Sequence, residues 1–162
     1  MFLADDRITA QKAQDAAFVR GIAAGTILAT MDGYLPVDFL AAGDRVVTRA
    51  GMRVIRAVAV HRYSGAAVTI TASALGHDRP EQDLTLPASM PILIRDWRAG
   101  AIFGQDQAMV PAERLVDGEY ISAGSVTGMR LFELMFDEPE VVYAEGVELC
   151  CSAVAAPVAV SA

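Results

Sequence analysis

The sequence predicts an all-β domain, and three observations predict it. From Thr26 onward the 162-residue chain consists of short runs rich in Val, Ile, Thr and Tyr, each closed by Gly, Pro or Asp, the texture of strands separated by tight turns. Hydrophobic residues make up 54% of the chain, enough apolar surface to offset the entropy lost when it orders. One segment also occurs twice: LPVDFLAAGDRVV at 35–47 aligns without gaps on VPAERLVDGEYIS at 110–122. A single domain is the expectation at this length.

In chain order, residues 5–19 read as a short N-terminal helix, with Asp5 or Asp6 as its start signal and Ile8, Ala16, Phe18 and Val19 as its few apolar anchors. Strands follow at TILAT (26–30), RVVTR (45–49), RVIRAVAVHRY (53–63), AVTITA (67–72) and DLTL (83–86). The second half offers PILIR (91–95), AMVPA (108–112), YISA (120–123), MRLFELMF (129–136) and EVVYA (140–144). RVIRAVAVHRY is long for a flat strand and is expected to bend or to change sheets partway.

The repeat pairs Pro36 with Pro111, Asp38 with Glu113, Leu40 with Leu115, Gly43 with Gly118 and Asp44 with Glu119. Its residue types define a scaffold role: Pro fixes the entry, Leu plugs the core from a short turn, and Gly lets the chain reverse. Two copies are too few for a solenoid, so a β unit duplicated about a pseudo-twofold axis is the better reading.

Composition excludes several classes of function. A net charge of -7, with 13 scattered Lys and Arg, argues against nucleic-acid binding and against anionic membrane surfaces. The amino terminus carries Asp5 and Asp6 and lacks a basic segment followed by an apolar run, so no export signal is visible and a cytoplasmic location is the default expectation. The apolar tail AVAAPVAVSA is too short for a membrane span and is broken by Pro157. The two cysteines, Cys150 and Cys151, are adjacent, with Cα atoms ~3.8 Å apart, closer than an unstrained disulfide allows. With only His61 and His77 besides, neither a metal nor a cofactor is expected.

The duplicated unit, together with GTILATMDGYLPVDFLAAGDRVVTRAG, ASALGHDRPEQDLTLPASMPILI, MVPAERLVDGEYI and LFELMFDEPEVVYAEG, resembles the Hint (hedgehog/intein) domains, specifically the bacterial group of single Hint-like domains. The resemblance implies a horseshoe of two pseudo-twofold related β subdomains. It divides the chain into a helical extension (1–20), a Hint-like β domain (21–150) and a tail (151–162). Active members of that family rearrange their own backbone: a Cys or Ser at the first strand attacks the preceding carbonyl, and a His assists the proton transfer. In this chain the opening motif falls on GIAAGT, which puts Gly21 in the nucleophile's place. The family's Ser-Pro-x-His-Arg motif falls on LPASMP, placing Leu86 for the hydroxyl residue and Ser89 for the His. The later histidines align on Glu133 and on Glu138 or Pro139.

These replacements lead to a degenerate Hint domain that has lost self-processing and serves as a non-enzymatic module binding a protein partner. Chemistry sits in a few side chains grafted on a scaffold, and a fold survives their loss. An enzyme with an altered site is the competing reading, built on Ser89 as a hydrolase or on Cys150 or Cys151 as an acyl transferase. Ser89 lacks a His at motif spacing and reads as a turn residue. Glu133 reads as the solvent-facing member of an alternating strand, and the cysteines as apolar filler near a strand end. Asp78, Glu81 and Asp83 raise a calcium-dependent surface role, against which stands their spacing, unlike that of a known ligand loop. Trp97, followed by RAGAIFGQDQ, is read either as a partner-binding loop or as a lid over the core.

Overall fold

The computed structural model describes residues 19–154. The helix expected over 5–19 lies outside them except at Val19, which is in irregular backbone. Twelve strands follow: β1 (Ile22–Ala23), β2 (Ile27–Thr30), β3 (Gly33–Pro36), β4 (Arg45–Thr48), β5 (Gly51–Val54), β6 (Ala57–Ile70), β7 (Leu84–Pro87), β8 (Pro91–Ile94), β9 (Ala108–Pro111), β10 (Ile121–Phe136), β11 (Glu140–Ala144) and β12 (Val147–Ala153). One short helix, α1 (Trp97–Phe103), lies between β8 and β9. Asp96 caps it, accepting from the Arg98 N–H, and Gly104 ends it in the left-handed conformation. Trp97, its first residue, is mostly solvent-exposed, so it does not roof the core.

The strands form one open sheet whose main path runs β3-β2-β4-β11-β12-β10-β6-β7, with β5 on β4, β1 on β10, and β8 and β9 continuing from β12. RVIRAVAVHRY changes partner as expected. It breaks at Ile55–Arg56, after β5 has paired with β4 and before β6 pairs with β10. Beyond that break the predicted segments fuse: 53–63 and 67–72 share the 14-residue β6, and 120–123 and 129–136 share the 16-residue β10. These two strands pair antiparallel from Ile70↔Ile121 to Ala57↔Met135, with a bulge between Val126 and Met129. The middle of this ribbon is largely exposed, and the closing residues of β6 and of β10 are mostly buried. Its middle therefore reads as a loop in sequence.

The repeat is structurally real. Residues Val37–Phe39 and Ala112–Leu115 are both 3₁₀ turns entered through a proline, Pro36 and Pro111. The Val37 N–H donates to the Thr26 carbonyl (2.8 Å), and in the second copy the Ala112 N–H donates to Met90 (2.9 Å). Leu40 and Leu115 are both buried, and Gly43 and Gly118 both have positive φ, the left-handed backbone that a side chain would strain. Each copy is preceded by a strand pairing antiparallel with its first strand, β2 with β3 and β8 with β9. The fold is thus an all-β horseshoe of two related halves. Its core includes Leu28, Ile55, Ile70, Leu86, Ile92, Ile121, Phe136 and Leu149, all nearly inaccessible to solvent. Burying each such side chain contributes roughly 1.5–3 kcal/mol.

Candidate functional site

The last residues before the first strand run past the Ser89–Met90 turn and along β10. β1 pairs with β10 in the register Ile22↔Phe132, which brings Gly21 alongside the end of β10. There a narrow cleft without room for a water molecule is lined by Gly21, Met90, Glu133, Cys150 and Cys151 among others. Two of the positions read as family-equivalent, Gly21 and Glu133, therefore meet.

Gly21 has neither a side chain nor room for one. A Cβ built on it would lie 2.9 Å from Cβ of Leu131 and 3.3 Å from its Cδ1, and Cβ is not a flexible end that can swing aside. Its φ is not in the left-handed region, so the glycine is required by packing and not by backbone conformation. The Gly21 N–H donates to Sδ of Met90 at 3.3 Å. A thioether is a weak acceptor with no proton to give.

Met90, one residue beyond Ser89, is thus the side chain that meets the Arg20–Gly21 peptide. Ser89 lies one peptide further out: its Oγ accepts from the Val19 N–H (2.9 Å) and donates to the Val19 carbonyl (3.2 Å). It clamps the entering chain, with no imidazole among its hydrogen-bond partners. Leu86 belongs to the core and is fully buried in β7. Glu138 and Pro139 are exposed in the turn between β10 and β11, and Glu138 lines a separate concavity with Arg53 and Glu140.

Glu133 departs from the solvent-facing role read for it. It is about three-quarters buried, and His61 Nε2 meets its Oε2 at 2.9 Å, a distance at which the nitrogen donates to the carboxylate. His61 sits on β6 across the ladder from Leu131, one pair along from Phe132↔Val60. Sequence spacing offers no clue to this pair, because the residues are brought together only by the β6–β10 register. His77 is far more exposed and pairs with Asp78 at 3.3 Å.

Cys150 and Cys151 lie within β12, which continues to Ala153. Both thiols are pushed up in pKa, chiefly by burial, and most strongly the fully buried Cys151, where Cys150 and Glu133 add to the effect and Arg20 opposes it. A raised pKa keeps the thiol protonated and poorly nucleophilic. Both cysteines are free. Among the described residues no group of three or more His, Cys, Asp or Glu side chains is arranged to hold a metal. In the acidic loop Asp83 accepts from the Ala72 N–H and the Glu81 N–H donates to the Glu145 carbonyl, so Asp78, Glu81 and Asp83 serve separate contacts.

The chain is similar to the solution structure of a bacterial intein-like domain from Clostridium thermocellum, with a TM-score of 0.56 and 13% identity over 83% of this chain and 99% of that one. It is also similar to the crystal structure of the MchDnaB-1 intein (TM-score 0.53, 14% identity, 79% of this chain and 98% of that one). A third likeness is to the gp41-1 intein (TM-score 0.50, 10% identity, 80% and 96%). At these identities the likenesses establish the fold. The family follows from sequence: a profile of the Hint domain matches residues 20–153, and the chain belongs to that family. No curated protein matches it in sequence.

Proposed function

We propose that this Hint domain has lost self-processing and acts as a non-enzymatic module that binds a protein partner. The observation that carries the reading is at Gly21, where the attacking side chain is absent and the backbone-proximal atoms of Leu131 fill its space. Three further features support it. Met90 stands against the peptide that an active member would rearrange, the nearby hydroxyl of Ser89 is committed to Val19, and the two thiols are held protonated. For a binding role, Tyr34 on the edge strand β3, Phe39 in the 3₁₀ turn after it and Trp97 at the head of α1 are large apolar side chains left mainly in solvent.

The test is intact-mass analysis of the purified chain with a carrier fused upstream, incubated with and without a small thiol or hydroxylamine. The expected result is an unchanged mass under all conditions. Cleavage between Arg20 and Gly21 overturns the proposal. The altered-site enzyme is separated by electrophilic probes: fast, selective labelling of Ser89 or Cys150 supports an enzyme, and slow labelling in step with solvent exposure supports the module.

A further inference from the structure

The chain contains two Asp-Gly steps, Asp32–Gly33 and Asp117–Gly118, and no asparagine. Both aspartates are exposed, yet the fold holds them differently. Asp117 Oδ1 accepts from the N–H groups of Glu119, Tyr120 and Ile121, each at 2.9 Å, and the Gly118 N–H donates to the Ile121 carbonyl at 3.1 Å. Those N–H groups, Ile121 and Glu119 foremost, hold the Asp117 carboxyl below the usual carboxylate range. Asp32 is held through its main chain, where its N–H donates to Thr30 Oγ1 at 3.1 Å, and among the described residues nothing hydrogen-bonds its carboxylate. The turn does not need that carboxylate. Thr30 Oγ1 also donates to the Gly33 carbonyl (2.6 Å), closing the turn between the paired Thr30 and Gly33. The β4–β5 turn repeats this arrangement with Ala50 in the place of Asp32: Thr48 Oγ1 accepts from the Ala50 N–H (3.1 Å) and donates to the Gly51 carbonyl (2.7 Å), and Gly33 and Gly51 both have positive φ.

We infer that Asp32–Gly33 is a site of spontaneous isoaspartate formation, a modification that re-routes the main chain in the β2–β3 turn. The Gly33 nitrogen attacks Cγ of the protonated Asp32 carboxyl. An N–Cγ bond forms while the amide proton and a carboxyl hydroxyl leave as water, giving a cyclic succinimide. Water then opens the ring. Attack at Cγ restores aspartate, whereas attack at the Asp32 main-chain carbonyl breaks its bond to the Gly33 nitrogen and leaves the chain running through Cβ and Cγ. The carboxyl must be free to turn toward the next nitrogen and must be protonated to lose its oxygen. Asp32 turns without breaking a hydrogen bond. Asp117 must first release three N–H groups, and the same contacts oppose its protonation. Glycine suits the second position because it has no Cβ to crowd the ring. The product has an extra main-chain carbon directly before β3, an edge strand paired to β2 alone, so the rest of the sheet does not oppose it. The inference is independent of whether the cleft retains chemistry and of whether a partner binds.

Incubation of the full chain for several weeks at mildly acidic pH, followed by tryptic mapping with mass spectrometry, tests it. The peptide Gly21–Arg45 is expected to give a growing fraction of unchanged mass and shifted retention that accepts a methyl group from an isoaspartyl methyltransferase, with fragment ions placing the new linkage at Asp32. With no asparagine in the chain, that signal can come only from aspartate. The peptide Leu115–Arg130, which carries Asp117, is expected to convert about tenfold more slowly or less. In the chain unfolded by urea the hydrogen bonds on Asp117 are gone, and the two rates are expected to agree within about twofold. Asp32→Ala gives the first turn the residue that the second already carries, and is expected to abolish the conversion and to leave the urea midpoint unchanged. An intact Asp32, equal conversion at Asp117 in the folded chain, or a tenfold difference that persists in urea overturns the inference.

Discussion

At the scale of single residues, Gly21 decides what the cleft can do. Position 21 has no side chain, and the neighbouring strand leaves no room for one, with Leu131 Cβ at 2.9 Å from where a new Cβ would stand. Leu131 is itself fully buried, so it has no free direction in which to retreat. Gly21→Ala is therefore expected to destabilise the fold by about 1–3 kcal/mol, the range for overpacking a dense interior. Gly124→Ala, on an exposed part of β10 with nothing within 4 Å of the added carbon, is the matched control. That change is expected to be neutral or slightly stabilising, by up to about 1 kcal/mol, through the unfolded chain. Urea denaturation of the two variants checks both. Equal stabilities would show that the cleft opens easily and that a nucleophile at position 21 is sterically admissible.

At the scale of elements, β12 explains both the strength of the frame and what the sequence leaves hidden. Glu148 lies at its second position, fully inaccessible, and receives a bidentate pair from Arg95 (2.8 and 2.5 Å) and a longer contact from Arg49 (3.4 Å). Arg95 follows β8 and Arg49 follows β4, so one carboxylate ties the ends of a strand from each half to the centre. Removing one partner of a buried ion pair leaves a charge that nothing replaces. Arg95→Met is expected to cost about 3 kcal/mol in thermal or urea unfolding, and Glu148→Leu added to it should recover most of that. Arg49→Ala, at the longer contact, should cost under about 1 kcal/mol. The same buried charge hides β12 from a sequence reading. VELCCSA neither alternates nor runs uninterrupted in apolar residues, because the strand is central and its acid is neutralised by arginines distant in sequence. β2, β4, β8, β9 and β11 were legible because their runs alternate or end at clear turn formers. β3 was hidden because GYLP, with Gly33 and Pro36 at its ends, reads as turn. α1 was hidden because WRAGAIF is a helix of only seven residues, too short for a period to emerge. In the cleft, Gly21 and Glu133 were legible through motif order. Met90, an apolar side chain, gives no chemical signal in sequence, and His61 is brought in by a register that only the folded sheet fixes.

At the scale of the whole molecule, the two halves are related as copies without being separable as domains. β11 takes β2 and β4 of the first half (Ala144↔Leu28, Val142↔Thr48), and β12 takes β8 and β10 of the second (Leu149↔Ile92, Met135↔Ser152). Since β11 and β12 form one hairpin, paired from Ala144↔Val147 to Glu140↔Cys151, neither half can open without exposing the ladder of the other. The β6–β10 ribbon adds a second tie, because the two strands pair along nearly their whole length, from Ile70↔Ile121 to Ala57↔Met135. Cooperative unfolding follows from this sharing. The equivalent leucines of the repeat provide the test, since Leu40 and Leu115 occupy matching 3₁₀ turns and are buried alike. Each substitution to Ala is expected to cost about 2–5 kcal/mol. If the halves unfold as one, Leu40→Ala lowers the hydrogen-exchange protection of Ile92 in the second half as much as that of Leu28 in the first, and Leu115→Ala does the same in reverse. Protection lost only in the half that carries the substitution would make each copy its own folding unit and reduce the central hairpin to a linker.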